Sequence, residues 1–253
     1  MTDTAPIALD AVRFVLVNTS HPGNIGAAAR AIGTMGMRRL VLVAPQAFPH
    51  REATALAASA IDVLDAAVVS ADLPSAIADC QFVLGATARR RGVALDEFDP
   101  RQAARRVLDA VAAGQRVALL FGNERVGLDN DEIKLCHAAI AIPSDPACPS
   151  LNLAQAVQVV AYELRMAWLA GHAAAAQARS EPPADAAELE EFFAHLARTL
   201  DAIDFHKGRS PRTILQRLRR LFLRAQPDQR ELRILRGILA DAERMASLAG
   251  RET

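Results

Sequence analysis

The sequence predicts an α/β protein: a mostly parallel sheet with helices on both faces, followed by a small all-helical C-terminal extension. Three observations carry that expectation. Five short runs rich in Val, Leu and Ile are apolar throughout instead of alternating, as strands covered on both faces are. Alanine-rich stretches with helical spacing separate them, so strand and helix alternate as in a parallel sheet. A polar, proline-broken stretch then leads into three more helical segments.

The apolar runs are "VRFVLVN" (12–18), "RLVLVAP" (39–45), "QFVLGAT" (81–87), "RVALLFG" (116–122) and "AAIAIP" (138–143). Between them, "NIGAAARAIGTMG", "REATALAASAIDVL", "LPSAIADC", "DPRQAARRVLDAVAAG" and "DNDEIKLC" read as helices, with Asp, Pro or Asn near several starts and Gly near several ends. After the last run comes the loop "PSDPACPS" and a long helix, "LNLAQAVQVVAYELRMAWLAG". Its Leu153, Ala156, Val157, Val160, Ala161, Leu164 and Trp168 form one apolar stripe that needs a partner surface. "SEPPAD" breaks any helix, which sets a first domain at 1–171, a linker at 172–186 and an extension at 187–253.

Within the extension, "DAAELEEFFAHLARTLDAI" starts acidic, and "SPRTILQRLRRLFLRA" has Ser210 as its cap and Pro211 in the first turn. On this second helix Ile214, Leu215, Leu218, Leu221 and Phe222 share one face, while Arg217, Arg220 and Arg224 share another. Lys207, Arg209 and Arg212 add positive charge just before and at its start.

The chain has 253 residues, 51% of them hydrophobic, enough for one large domain and an appendage. Lys plus Arg and Asp plus Glu both number 29, a neutral total that conceals the basic helix. Three cysteines without CxxC spacing argue against a zinc site and a disulfide framework, and fit a reducing cytoplasm. No signal-type leader and no run of about 18 apolar residues is present, so a soluble protein is expected.

The stretch "HPGNIGAAARAIGTMG" (21–36) joins a strand to a helix through a glycine turn, as nucleotide-binding folds do. It lacks G-x-G-x-x-G, an acid at the end of the second strand and a G-K-[ST] sequence, so neither a dinucleotide fingerprint nor a Walker loop is present. What remains is Asn24 at the mouth of the helix and Arg30 about two turns in. Arg30 is either salt-bridged to a nearby carboxylate or a clamp for a phosphate or substrate oxygen. In "LLFGNERVGLDNDEI", Gly122 and Gly127 allow close approach of backbone to ligand, and Asn123, Glu124 and Arg125 offer side chains. Ser150 and Asn152 stand before the long helix, where a serine is also an ordinary cap. Three polar turns at the carboxyl ends of strands are where an open α/β sheet places its ligand.

Together "NIGAAARA", "FGNERVGL" and "IPSDPACPSLNLAQAVQVVAYELRMAW" resemble, in order, the three motifs of the SpoU class of SPOUT RNA methyltransferases. "LAASAIDVL", "GATARRRG" and the tail "LRRLFLRAQPDQRELRILRGILA" are similar to its TrmJ-type tRNA 2'-O-methyltransferases, and the resemblance runs from about Val12 to about Glu243. Two places depart from the pattern: Asn123, where some relatives carry a bulkier or basic residue, and "ACPS".

The resemblance implies a C-terminal trefoil knot, an exception to the rule against knotted chains. It implies S-adenosylmethionine bound by Thr87, Ala88, Arg89, Gly122, Asn123, Glu124, Ile142, Pro143, Ser150, Leu151 and Asn152. Arg30, Asn24, Glu124, Ser150 and Asn152 would form the catalytic group. RNA would be held by Arg30, Arg89, Arg91, Lys207, Arg209, Arg212, Arg217, Arg220 and Arg224. A homodimer through the stripe-bearing helix, no metal and a cytoplasmic tRNA substrate complete the expectation, with nucleotide 32 of the anticodon loop as target. The reaction would be in-line attack of a ribose 2'-hydroxyl on the sulfonium methyl, where alignment contributes up to about 7 to 11 kcal/mol in favourable systems. A guanidinium with a pKa above about 12 is a poor base, so Arg30 is read as orienting the hydroxyl and an adjacent phosphate. Three alternatives stand beside this: another tRNA or rRNA position, a non-catalytic RNA-binding protein of the same fold, and a Rossmann oxidoreductase, which the missing ribose acid disfavours.

Overall fold

The computed structural model describes residues 9–88, 95–171, 182–207 and 210–249. The chain divides into two compact units, Met1–Ala178 and Arg179–Thr253.

In the first unit, the described strands are β1 (Val12–Val17), β2 (Arg39–Val43), β3 (Val68–Ser70), β4 (Phe82–Ala86), β5 (Asp96–Phe98), β6 (Val117–Phe121) and β7 (Ala138–Ile140). They form one parallel sheet in the order β3-β2-β1-β6-β4-β7-β5. All five predicted runs are strands. The two edge strands, β3 and β5, were not expected: each is three residues long, β3 exposes Val68 and Val69, and β5 carries Asp96 and Glu97, so neither is written as a long apolar run. At the centre, β1 pairs with β6 in register Phe14↔Leu119, and Phe14 stacks on Phe121 at 6.0 Å. From β1 the chain moves to β2 on one side; from β6 it moves to β7 on the other. Such a reversal opens a crevice at the carboxyl ends of the two strands.

Helix α1 (Pro22–Thr34) follows β1 and lies against α2 (Arg51–Ala57) so closely that a Cβ on Gly26 would sit 2.0 Å from the Ala53 carbonyl oxygen. Where one helix was expected over "REATALAASAIDVL", there are three pieces: α2, a 3-10 turn (Ala58–Ala60) and α3 (Ile61–Asp65). The break falls at Ala58, whose φ of +48° does not continue a right-handed α-helix. Next come α4 (Leu73–Ile77), α5 (Pro100–Ala112), α6 (Asn130–Ile133) and α7 (Leu153–Leu169). Helices α5 and α6 open with capping boxes, Asp99 with Gln102 and Asp129 with Glu132.

The apolar stripe of α7 faces inward. Leu153, Val157, Val160, Ala161 and Leu164 are buried, and Ala156 and Trp168 pack against the same core, where α7 lies on α1 and α5. The stripe's partner surface is therefore within the chain, on α1 and α5. Those that α7 leaves outward are Tyr162, Met166 and Leu169, 44–59% exposed.

The second unit consists of α8 (Ala186–Ala202), α9 (Pro211–Ala225) and α10 (Gln229–Ala249). Asp185 and Glu188 cap α8, and its Phe192, Phe193, Leu196 and Leu200 pack with Leu223 and Leu232. Phe222 meets Phe192 edge-on at 4.8 Å. Of the apolar face placed by spacing, Ile214, Leu215, Leu218 and Phe222 pack against this core, joined by Leu223, while Leu221 is 47% exposed. Most of the expected linker, 172–181, lies outside the described residues. No helix among those described is long and apolar enough to cross a membrane.

Candidate active site

Three loops meet at the crevice between β1 and β6, and one carboxylate ties two of them. Glu124, three residues past β6, accepts hydrogen bonds from Ser20 N (3.0 Å), Ser20 Oγ (2.8 Å), His21 N (3.2 Å) and Asn24 Nδ2 (2.9 Å). His21 is the N-cap of α1 and makes no side-chain cap itself, so the carboxylate occupies the positive end of that helix. Burial alone would raise the Glu124 pKa, but the hydrogen bonds from Asn24 and Ser20 outweigh it and hold the group at about 2. A carboxylate so stabilised is a fixed anion and a poor proton acceptor at neutral pH.

The third loop joins through Asn24. Asn152 Nδ2 donates to Asn24 Oδ1 at 2.9 Å, while Asn152 Oδ1 accepts from Ala154 N at 2.9 Å and so caps α7. Asn152, not Ser150, is the cap. Ser150 is exposed and its hydroxyl makes no hydrogen bond among the described residues.

A second tie runs beside the first. Asn123 Nδ2 donates to the Asn18 carbonyl (2.7 Å), Asn123 Oδ1 accepts from Arg125 N (2.9 Å) and the Asn123 carbonyl accepts from Gly127 N (2.7 Å). The loop is folded so tightly that a Cβ on Gly122 would lie 2.1 Å from Leu128 N and 2.2 Å from the Gly127 carbonyl carbon. Asn18 is held at φ +53° and also donates to Glu132 Oε1 at 3.2 Å.

Against this loop opens a pocket of about 180 Å³. Of the residues expected to hold a cofactor, Thr87, Ala88, Gly122, Asn123, Glu124, Ile142, Ser150 and Leu151 line it. Pro143 and Asn152 do not, and Arg89 lies outside the described residues. Leu128, Ile140 and Leu153 add an apolar floor that spacing did not reveal. The combination fits an adenosyl group: an apolar wall for the ring, and a glycine-bounded loop whose backbone can reach its polar edges.

Arg30 is exposed on α1 and makes neither an ion pair nor a hydrogen bond among the described residues, so the salt bridge that would have explained it is absent there. Arg217 and Arg224 on α9 are exposed and, like Arg220 and Arg212, unpaired among the described residues. Arg219 differs: it forms a bidentate pair with Glu190 and lies 4.6 Å over the Phe193 ring. Lys207 is exposed. Arg91 and Arg209, like Arg89, fall outside the description. The sequence reading passed over Ser20 and Asn18; a Ser-His-Pro sequence before a helix that lacks its own cap is the signal that points to Ser20.

The parallel sheet and the polar turns from β1, β6 and the start of α7 all fall within residues 11–162, which a sequence model of the SpoU rRNA methylase family matches. A second, for the C-terminal domain of the tRNA methyltransferase TrmJ, matches residues 187–251. The chain is 47% identical over 246 residues to the tRNA (cytidine/uridine/adenosine-2'-O-)-methyltransferase TrmJ of Pseudomonas aeruginosa, covering 94% of this chain and 96% of that one. It is 48% identical to the tRNA (cytidine/uridine-2'-O-)-methyltransferase TrmJ of Salmonella typhimurium, over 93% and 97% of the two chains. The crystal structure of TrmJ from Z. mobilis ZM4 superposes with a TM-score of 0.77 at 36% identity, over 91% of this chain and 98% of that one. The chain belongs to the TrmJ family of SpoU methylases.

Proposed function

We propose that this protein methylates the ribose 2'-hydroxyl of tRNA, with S-adenosylmethionine as donor and nucleotide 32 of the anticodon loop as target. The observation that carries this reading is the convergence of Asn24, Glu124 and Asn152, from three loops, beside a pocket that Glu124 lines and that suits an adenosyl group. The donor supplies a methyl group on its sulfonium sulfur. The pocket residues Thr87, Ala88, Gly122, Ile142, Ser150 and Leu151 would hold it.

The chain's own side chains divide the remaining work. Glu124 is a permanent anion that fixes the start of α1 and the face of Asn24. Asn24 and Asn152 keep the β1 and α7 loops in register. Arg30, exposed and unpaired among the described residues, offers two parallel N–H donors to the incoming hydroxyl and its neighbouring phosphate. Arg217, Arg220 and Arg224, with Lys207 and Arg212, would grip the tRNA backbone. A homodimer on α7 would use Tyr162, Met166 and Leu169, and the knot belongs to the same reading. A tRNA substrate supports a cytoplasmic location.

The test is methyl transfer from S-adenosylmethionine to an unmodified tRNA transcript, with the modified ribose mapped. A 2'-O-methyl group at nucleotide 32 is expected, together with loss of most turnover in Arg30→Lys. Methylation elsewhere overturns the position. No transfer overturns the activity, and near-full turnover in Arg30→Lys overturns the bidentate role.

A further inference from the structure

We infer that Arg125 is a phosphate clamp at the mouth of the pocket, binding the phosphodiester beside the reacting ribose; this rests on the RNA 2'-O-methylation proposed above.

Arg125 lines the pocket from the 122–128 loop, is exposed, and its side chain makes no hydrogen bond or ion pair among the described residues. The acids around it are engaged elsewhere. Glu124 points inward and accepts from Ser20, His21 and Asn24. Asp129 caps α6, Asp131 pairs with Lys134, and Glu132 accepts from Asn18 Nδ2 and Asp129 N. A guanidinium is thus left uncompensated beside the candidate active site.

Its backbone is also fixed. The Arg125 N–H donates to Asn123 Oδ1, and Asn123 is itself held by the Asn18 carbonyl and by Gly127 N. The close approach at Gly122 leaves the loop little freedom. The cation is therefore presented from a preorganised base, which lowers the entropy lost on binding an anion.

The chemistry of the substrate supplies that anion. A ribose 2'-hydroxyl sits on the carbon adjacent to the one bearing the 3'-phosphodiester. Any RNA that brings its hydroxyl to this pocket brings a phosphate to the mouth, whatever the base. Guanidinium matches phosphate with two parallel hydrogen bonds, whereas an ammonium makes a point contact. The competing anion is the carboxylate of the cofactor, and the experiment must separate the two.

Arg125→Ala and Arg125→Lys are compared with the full-length wild-type protein in two titrations: S-adenosylhomocysteine by calorimetry, and an unmodified tRNA transcript with S-adenosylhomocysteine present, across a salt series. Arg125→Ala should weaken tRNA binding about tenfold or more and reduce the slope of log K against log salt by about 0.7 to 0.9. S-adenosylhomocysteine affinity should stay within about twofold, and Arg125→Lys should recover the slope but only part of the affinity. Weaker S-adenosylhomocysteine binding with an unchanged tRNA slope overturns the proposal in favour of a carboxylate contact. No change in either titration overturns it in favour of a solvated side chain. A wild-type protein that binds neither ligand overturns the underlying reading and this proposal with it, an outcome seen before any variant is made.

Discussion

Asn152 Nδ2 donates to Asn24 Oδ1 at 2.9 Å, joining residues 128 positions apart, and the same asparagine caps α7 through its other side-chain atom. The two roles can be separated. Asn152→Asp keeps an excellent cap for α7 but removes the donor and sets a carboxylate against Asn24 Oδ1. Folding stability should stay within about 0.5 kcal/mol of wild type, because the cap survives. Methyl transfer should fall by about ten- to a hundredfold, the scale of about 1.4 to 2.8 kcal/mol of lost alignment. Asn152→Ala should lose activity to a similar extent and about 1 kcal/mol of stability in addition. Thermal unfolding and single-turnover rates of the two variants check this, and equal activity in Asn152→Asp and wild type would show that the bridge to Asn24 has no part in catalysis.

Glu124 makes stability depend on pH in a defined window. Its folded pKa of about 2 lies below the ordinary 4.5, so the unfolded chain binds its proton first as pH falls. The stabilisation is complete above about pH 4.5 and is lost as pH falls toward about 2. Glu124→Gln removes the anion and turns an NH₂ group toward donors, so it should be less stable than wild type at pH 7. That gap should narrow progressively from pH 5 to pH 3, as read from denaturant midpoints. A gap that stays constant over this range would mean that the carboxylate gains nothing from Ser20, His21 and Asn24.

The sheet was legible because β1, β2, β4, β6 and β7 are covered on both faces and so are written as unbroken apolar runs. Edge strands such as β3 expose part of each residue and carry no such mark. On α7 the stripe itself was legible, but periodicity reports a face and not what covers it; α1 and α5 cover it. The identities of Asn24, Glu124 and Asn152 were visible, yet their mutual contacts depend on β6 lying beside β1, which no local pattern encodes. Ser20 was missed for the same reason, since its partner is 104 residues away.

Two glycines separate a steric requirement from an incidental choice. Gly122→Ala drives a methyl group to 2.1 Å from Leu128 N, a backbone atom that cannot yield cheaply. The 122–128 loop would have to open, and S-adenosylmethionine binding should fall at least tenfold. Gly237 lies inside α10 with nothing within 4 Å of its Cβ direction. Gly237→Ala should therefore stabilise the protein by about 0.5 to 1 kcal/mol through helix propensity alone. Calorimetric binding and thermal melts decide both, and intact cofactor affinity in Gly122→Ala would show that the loop relaxes freely.

The arginines of α9 should separate into one that holds the fold and several that bind. Arg219, only 19% exposed in its side chain, spans Glu190 and the Phe193 ring, so Arg219→Ala should cost about 1 to 2 kcal/mol of stability through lost charged hydrogen bonds. Arg217, Arg220 and Arg224 have no such partners among the described residues. Replacing these three with Gln should leave the melting temperature nearly unchanged. The same triple variant should weaken tRNA binding and lower the salt slope by about 2 to 3, at 0.7 to 0.9 per lost phosphate contact. Arg219→Ala, by contrast, should leave that slope within about 0.5 of wild type, since its guanidinium is committed to Glu190. Binding isotherms over a salt series, taken beside thermal melts, give both readings on the same samples. A triple variant with an unaltered salt slope would remove the stripe from the RNA interface and leave it as a solvated helix face.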